Sequence, residues 1–297
     1  MLIDICVCTF RRASLADTLR SLGHQVLPDG SDLRIIVADN DEVPSAQELV
    51  TRIAQDLPVP VQYVHAPSRN ISIARNACLD AATGDLLAFI DDDEVAPPTW
   101  IADMHALLAS GPYDAVFGPA IAEYPDTAPA WIRQGDYHSN VPTARNRIVQ
   151  TGHTCNALIQ IHAPCFHDQR FLLEKGRTGG EDTEFFFRAW RDGGKFAVSD
   201  TAKVFEPVDP SRLGFAWIAK RRFRSGITYG RLERGRLSLI KAAVSLCVTI
   251  LKIAYCMVRT LIAVFSSNQR NFWLLRAVFH SGVLTSILSV KEQELYG

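Results

Sequence analysis

The sequence has no excess of either charge: 31 lysines and arginines face 32 acids, and the isoelectric point lies near 6.7. Nucleic-acid binders usually carry a strongly basic balance, so that class is set aside and any basic patch must be local. The seven cysteines are odd in number and include no Cys-x-x-Cys pair. They fit neither a disulfide framework nor a structural zinc site, and read as reduced, mostly buried thiols. A basic leader and a small-residue cleavage site are also missing, since Met1-Leu2-Ile3-Asp4 runs straight into apolar sequence. A secretory signal is therefore not expected, and the catalytic part should stay in the cytoplasm. Nor does a glycine-rich phosphate loop follow the first apolar segment, which continues as Thr9-Phe10-Arg11-Arg12. What is present is apolar material: 47% of 297 residues are hydrophobic, enough for one large core or two modest ones without a staple.

Leu2 to Cys8 is apolar and rich in branched residues, as expected of a strand covered on both faces of a parallel sheet. A helix follows with Leu15, Leu19 and Leu22 at helical spacing, and Ser14 and Asp17 stand where a capping box would. Leu33 to Ala38 is a second buried strand that ends in Asp39-Asn40-Asp41. The stretch from Ser45 to Gln55 reads as a helix, Val61 to Val64 as a third strand, and Ile71, Ala74, Arg75 and Cys78 mark another helix. After a turn at Gly84-Asp85, the strand Leu86 to Ile90 ends in Asp91-Asp92-Asp93-Glu94. This alternation predicts an α/β fold with a right-handed, mostly parallel sheet, whose ligands bind at the carboxyl ends of the strands: Thr9, Asp39 and Asp91. Beyond Gly118 the pattern loosens around Trp131, Tyr137 and His138, which predicts loops over a site rather than another sheet layer.

From Leu213 onward Arg234, Lys241, Lys252, Arg259 and Arg270 recur at steps of seven or eleven, which on one continuous helix return to nearly the same face. The other faces carry Val244, Leu246, Val248, Ile250, Leu251, Ile253, Leu261, Ile262 and Val264. An apolar surface with one basic stripe suits a helix lying in a membrane interface, with lysine and arginine snorkelling to phosphates. A transmembrane span and a packed soluble helix stay open. Lys241, Lys252 and Arg259 interrupt the run of about 18 apolar residues that a span needs. Phe272 to Val290, apolar with Arg276 and His280 on one side, adds to the membrane reading.

Three adjacent carboxylates at Asp91, Asp92 and Asp93 repel one another, and fixing them at a sheet edge is favourable only with a cation or several donors nearby. Magnesium or manganese would take one or two of these oxygens and complete its octahedron with diphosphate oxygens and water. The alternative is an acidic turn capping the next helix, but Thr99, beside Pro97 and Pro98, is the better cap. Asp39-Asn40-Asp41 offers acceptors for a base N–H or ribose hydroxyls, or simply forms an Asx turn. Arg75 either reaches the base site or a phosphate, or makes a surface salt bridge. Gly179-Gly180-Glu181-Asp182 precedes Phe185, Phe186, Phe187, Ala189 and Trp190 and places two carboxylates at a helix N-terminus, whose dipole keeps them ionised. Such a carboxylate can take the proton of a sugar hydroxyl attacking an anomeric carbon, although first-turn acids are also common for structural reasons. Lys220-Arg221-Arg222-Phe223-Arg224-Ser225-Gly226 is placed to neutralise a leaving diphosphate or to touch acidic lipid headgroups.

In this order the segments resemble the family 2 glycosyltransferases over roughly residues 2 to 230. The match rests on the Thr9-Phe10-Arg11 strand exit, the Asp39 region, Ser72-Ile73-Ala74-Arg75-Asn76, the Asp91 to Asp93 triplet and Gly180-Glu181-Asp182. Toward succinoglycan-type glucosyltransferases it extends through Ile71, Gly152 with Thr154-Cys155-Asn156-Ala157, Lys220 to Gly226, and Lys291-Glu292 with Tyr296-Gly297. The resemblance implies a GT-A, Rossmann-like, mostly parallel sheet flanked by helices, with a C-terminal helical membrane-associated region. Residues 1–212 would form the catalytic domain, with a nucleotide-sugar half ending near 118 and an acceptor half from 119 to 212, and residues 213–297 the basic and apolar helical region. Whether 237–266 spans or lies on the membrane stays open. The resemblance further implies a UDP-sugar donor held by Thr9, Arg11, Asp39, Arg75, Asp91, Asp92, Arg222 and Arg224, with Asp39 near uracil. It puts a divalent cation on Asp91 and Asp93, makes Asp182 the general base with Glu181 beside it, and implies inversion. The acceptor would be a lipid-diphosphate oligosaccharide at the cytoplasmic face of the inner membrane, receiving a β-linked glucose in exopolysaccharide biosynthesis. Two departures stand out: Arg222 and Arg224 match the arginine-rich motif of processive relatives without a Gln-x-x-Arg-Trp, and Phe205-Glu206-Pro207 stands where relatives place a histidine before the proline. The rival readings are a sugar nucleotidyltransferase and a catalytically silent nucleotide-sugar-binding scaffold.

Overall fold

The computed structural model describes residues 1–144, 148–234 and 239–288. The expected helix end at Val290, the likeness at Lys291-Glu292 and Tyr296-Gly297, and the side chain of Arg234 lie outside the described residues. Four strands, β1 (Leu2–Thr9), β2 (Asp32–Asp39), β3 (Val61–His65) and β4 (Leu86–Asp91), alternate with α1 (Leu15–Leu22), α2 (Gln47–Ala54) and α3 (Ile71–Ala81). After α4 (Trp100–Ala109) come β5 (Ala115–Phe117), β6 (Ala120–Glu123), α5 (Ala130–Gly135), β7 (Asn156–Gln160), α6 (Glu181–Arg191), β8 (Phe196–Val198) and β9 (Val204–Pro207). The central seven-stranded sheet runs β3-β2-β1-β4-β7-β5-β8, while β6 and β9 pair separately. β1 to β4 are mutually parallel, and β7 is antiparallel to both β4 and β5.

The apolar runs are continuous because each strand feeds two cores. Ile3, Ile5 and Val7 join Ile35, Val37, Ala88 and Ile90 under α1 and Trp100 of α4, while Cys6, Ile36, Leu87 and Phe89 turn to the opposite face against Phe117, Phe185 and Phe186. Successive side chains of a strand point to opposite faces, so a sheet buried on both sides shows no polar alternation.

Four local expectations are corrected. Ser14 makes no side-chain cap; Asp17, its expected capping-box partner, is engaged by Arg20 at 2.9 Å. Thr99 sits at the N-cap of α4, but its hydroxyl donates to the Asp103 carboxylate at 3.1 Å instead of capping a backbone N–H. The region beyond Gly118 is not only loop, since β7 enters the central sheet; its Ala157, Leu158 and Ile159 are all fully buried, so five residues carry no period to read. The basic stripe does not run along one helix. It is divided among α7 (Phe215–Arg234), α8 (Leu239–Ile262) and α9 (Ser267–Ile287); between α8 and α9 the break is made by Ser266, the N-cap of α9, whose hydroxyl accepts from the Gln269 amide.

The described chain forms two compact units: Met1–Ala122 with Ser139–Pro207, and Glu123–His138 with the helices from Val208 onward. In the second unit Ile132, Tyr137, Ile218 and Leu275 form a small core. There α9 lies against α7 so closely that a Cβ on Gly226 would come within 2.0 Å of the Phe279 carbonyl oxygen, and one on Gly282 within 2.1 Å of that of Phe223. Only glycine permits that approach.

Candidate active site

The parallel register sets Thr9 beside Asp39 and Cys8 beside Asp91, so three strand ends share one edge. The buried Thr9 hydroxyl donates to Asp92 Oδ2 at 2.7 Å. Arg11, with φ at 54°, makes a two-pronged ion pair with Asp41 at 2.7 and 2.9 Å, which pulls the Asp41 carboxyl down to about 2. Arg12 lies 3.7 Å from Asp93. Asp39 is fully buried: Oδ1 accepts from the Asp41 amide at 3.1 Å, an Asx turn, and Oδ2 accepts from the Ala46 amide and the Tyr63 hydroxyl, each at 2.8 Å. These bonds fix the β2 exit, and burial followed by Asp39 holds the Tyr63 phenol above its ordinary range.

The acidic end of β4 is short of positive charge. Burial raises the Asp91 carboxyl to about 7; Arg75 opposes the rise, while Asp93, Asp92 and Glu206 add to it. Burial likewise lifts Asp92 to about 6 against the Thr9 hydrogen bond, and lifts Glu94, whose Oε2 accepts from the Asp91 amide at 2.9 Å. Glu206, at the position where a histidine was expected by resemblance, thus adds negative charge rather than a neutral donor. Among the described residues no three histidine, cysteine, aspartate or glutamate side chains group so as to hold a metal by themselves. Asp91 and Asp93 nevertheless offer hard oxygens at a strand end crowded with negative charge, and they fit a cation that draws its other ligands from diphosphate and water.

A second constellation surrounds α6. Gly179 and Gly180 both take φ near 85°, and Gly180 caps the helix in the left-handed region, placing Glu181 and Asp182 in the first turn. The two carboxylates part company, one held below and the other above its ordinary value. Burial raises the Asp182 carboxyl, but His153, with Nδ1 3.0 Å from Asp182 Oδ2, acts with Arg75 and the Thr183 amide to bring it below its ordinary value. Glu181 is raised by burial despite Arg75, whose Nη1 donates to Glu181 Oε1; Glu181 Oε2 has no hydrogen-bond partner among the described residues. Arg75 is itself buried, its guanidinium 5.6 Å from the Phe171 ring centre. Burial works against its charge, yet Glu181, Asp182 and Asp91 hold its pKa above the usual arginine value. Arg75 is therefore neither exposed nor a surface salt bridge: it is a cation between the α6 acids and the β4 acids.

Arg222 and Arg224 lie on α7 in the second unit, with Arg222 5.6 Å from the Tyr137 ring centre and its pKa lowered by burial. His153, Asp41 and Glu94 were not singled out from sequence. His153 stands between Gly152 and Thr154-Cys155-Asn156-Ala157, which carry the resemblance, but no local pattern gives the histidine itself a role, whereas Asp41 and Glu94 stand in acidic runs whose roles were given to their neighbours.

Carboxyls raised by burial make a prediction. Between the ordinary aspartate value and about 7 the unfolded chain binds fewer protons at Asp91 and Asp92 than the folded chain, so stability falls as pH rises through that window. The metal-free protein is expected to melt about 5 °C lower at pH 8 than at pH 5, and manganese with UDP should restore the difference. Calorimetry at the two pH values checks this; a flat profile would mean that the acids already have their counter-charge.

The structure matches solved proteins along nearly its whole length. It aligns with the Pyrobaculum calidifontis mannosyltransferase PcManGT in complex with GDP-Man and Mn2+ at a TM-score of 0.66 and 16% identity, covering 97% of this chain and 88% of that one. With residues 1–349 of S. aureus TarS bound to UDP the TM-score is 0.53 at 18% identity over 97% and 91% of the two chains, and in a longer TarS structure 55% of that chain is covered. The fold is GT-A: a mostly parallel sheet flanked by helices. The Glycosyl transferase family 2 model matches residues 4–163, and the chain belongs to that family. It is 45% identical over 295 residues to the succinoglycan biosynthesis protein ExoM of Rhizobium meliloti (strain 1021), covering 99% of this chain and 96% of that protein. A glucosyl-dolichyl phosphate glucuronosyltransferase of Haloferax volcanii shares 28% identity over 135 residues, 44% of this chain and 40% of the relative. The chain is thus a glycosyltransferase.

Proposed function

We propose that the enzyme transfers a sugar, with glucose in β-linkage the first candidate, from a UDP-sugar to a lipid-diphosphate oligosaccharide during exopolysaccharide assembly at the cytoplasmic face of the plasma membrane, inverting the anomeric carbon. The observation that carries the reading is Asp182 in the first turn of α6, its carboxylate 3.0 Å from His153 Nδ1 and next to the Arg75–Glu181 pair. The name of the ExoM relative supports the polysaccharide context, and UDP on TarS supports the donor class. Asp182 takes the proton of the acceptor hydroxyl as that oxygen bonds to the anomeric carbon and the bond to the diphosphate breaks, with UDP leaving with the electron pair. A strongly depressed pKa guarantees ionisation, and the proton moves late, once the attacking oxygen has become acidic. Asp39, Arg11 and Thr9 line the nucleoside end, and Arg75 holds Glu181 and faces the acids. Asp91 and Asp93 would hold a divalent cation, whose chemistry is to screen the negative charge of the leaving group, as manganese beside GDP-Man in PcManGT supports.

The test is UDP release from a panel of UDP-sugars with a membrane lipid extract, with manganese, magnesium or chelator. Metal-dependent release with UDP-glucose and label in the lipid fraction is the expected result. Release with a different sugar would change the donor alone. No release with any sugar, together with tight UDP binding, would favour the silent scaffold.

A further inference from the structure

We infer that the outward face of α8 docks in the plane of an anionic lipid bilayer, the helix lying in the interface rather than crossing it. This deepens the membrane placement proposed above and rests on it. The near-neutral chain hides a sharp division of charge: residues 215–288 contain twelve lysines and arginines and a single acid, Glu233, while the rest holds 19 basic and 31 acidic residues. A basic surface attached to an acidic catalytic part points to an anionic partner.

The side-chain pattern of α8 is the reverse of a helix that faces water. At 100° per residue, Val244, Val248, Leu251, Tyr255, Val258, Leu261 and Ile262 fall on the face turned outward, with Leu251 68% and Leu261 72% exposed. No charged residue interrupts that half. The half turned toward α9 mixes Leu246 and Ile253 with small polar groups: Thr249 and Cys256 are buried, and the hydroxyls of Thr249 and Thr260 bond back to the Ser245 and Cys256 carbonyls at 2.7 and 2.9 Å. Small and hydroxyl residues at the helix contact with an apolar face turned outward is found in helices that pack in lipid.

Lys241, Lys252 and Arg259 line one border between the two halves. Arg259 is half-buried there; it lies 4.7 Å from the Trp273 ring centre and donates to the Tyr255 hydroxyl at 3.1 Å, an aromatic and basic edge of the kind found at headgroup depth. The segment Lys241–Ile262 is long and apolar enough to cross a membrane, with 11% of its most apolar stretch buried. Crossing, however, would place Lys252, halfway along the segment, at the centre of the hydrocarbon. Lying flat puts all three cations at one level beside the lipid phosphates. A second copy packed face to face through α8 and α9 fits less well, since these two helices contain no acid to meet those cations.

The experiment is flotation of the full chain with phosphatidylcholine vesicles, with and without phosphatidylglycerol, in the absence of any sugar nucleotide. The protein should float with the anionic vesicles, be released by alkaline carbonate, and lose about tenfold in partitioning on L251E/L261E, substitutions at exposed positions that leave the thermal midpoint in place. In the vesicle-bound K252C protein, read against the parent chain with its own exposed Cys247, one additional thiol should react with a charged maleimide added outside. A shielded thiol and resistance to carbonate would establish a span and overturn the in-plane reading. Equal binding to neutral vesicles, indifference to L251E/L261E, binding of RNA in place of vesicles, or a stable dimer without vesicle binding would each overturn the lipid-docking proposal. Because no donor is present, a catalytically inactive protein that still floats would sink the enzymatic reading and leave this one standing.

Discussion

Asp182→Asn is expected to lower sugar transfer by about three orders of magnitude while UDP-sugar binding stays within about twofold. Asparagine keeps the volume and can still accept the Thr183 amide, which lies 2.6 Å from Asp182 Oδ1, but it cannot take a proton from the acceptor. The loss should therefore appear in kcat, measured as UDP release with saturating acceptor, and leave the donor Kd by titration calorimetry nearly unchanged. His153→Gln should give a smaller loss, about tenfold, because the imidazole holds the carboxylate without touching the reacting atoms. If Asp182→Asn kept a tenth of the turnover, the base would have to be sought elsewhere.

The second large effect concerns stability. Arg75→Met strips the cation from a pair whose side chains are only 9% and 8% exposed. Glu181 already has one oxygen with no partner among the described residues, so the variant would hold a buried carboxylate that must either stay charged without compensation or take up a proton. Breaking one side of a buried ion pair costs about 3–5 kcal/mol, which in a chain of this size is a drop of roughly 10 °C in the thermal midpoint. Replacing both residues, Arg75→Met with Glu181→Leu, should recover most of that, because the penalty lies in the orphaned charge rather than in the lost contact. Urea unfolding of the two variants distinguishes the cases. A single variant within 1 kcal/mol of the parent would mean that water reaches Glu181.

The first four strands and the helices between them were readable from sequence because burial on both faces leaves an unbroken apolar run, and an apolar run ending in acids marks a strand end. The functional residues at those ends could be named singly. Their partners could not: Thr9 meets Asp92 across 83 residues and Arg75 meets Glu181 across 106, and no local pattern encodes such a distance. The same limit explains His153, which becomes a neighbour of Asp182 only because the chain returns to α6. In the C-terminal helices the periodicity was real within α8, but steps of seven and eleven carry no mark of where one helix stops, and the Ser266 cap decided that.

The place of β7 in the sheet bears on how the chain is made. Until Asn156–Gln160 leaves the ribosome, β4 has a neighbour on one side only, and the open side is a row of unpaired amides and carbonyls flanked by Phe89 and Ile90. At about 5–20 residues per second, the nearly seventy residues from the end of β4 to the end of β7 take several seconds to emerge. For that interval the nascent N-terminal sheet presents an apolar edge to any strand that reaches it, including that of a neighbouring nascent chain. Chaperone demand during synthesis should therefore peak before residue 160 and fall once the antiparallel strand closes the gap.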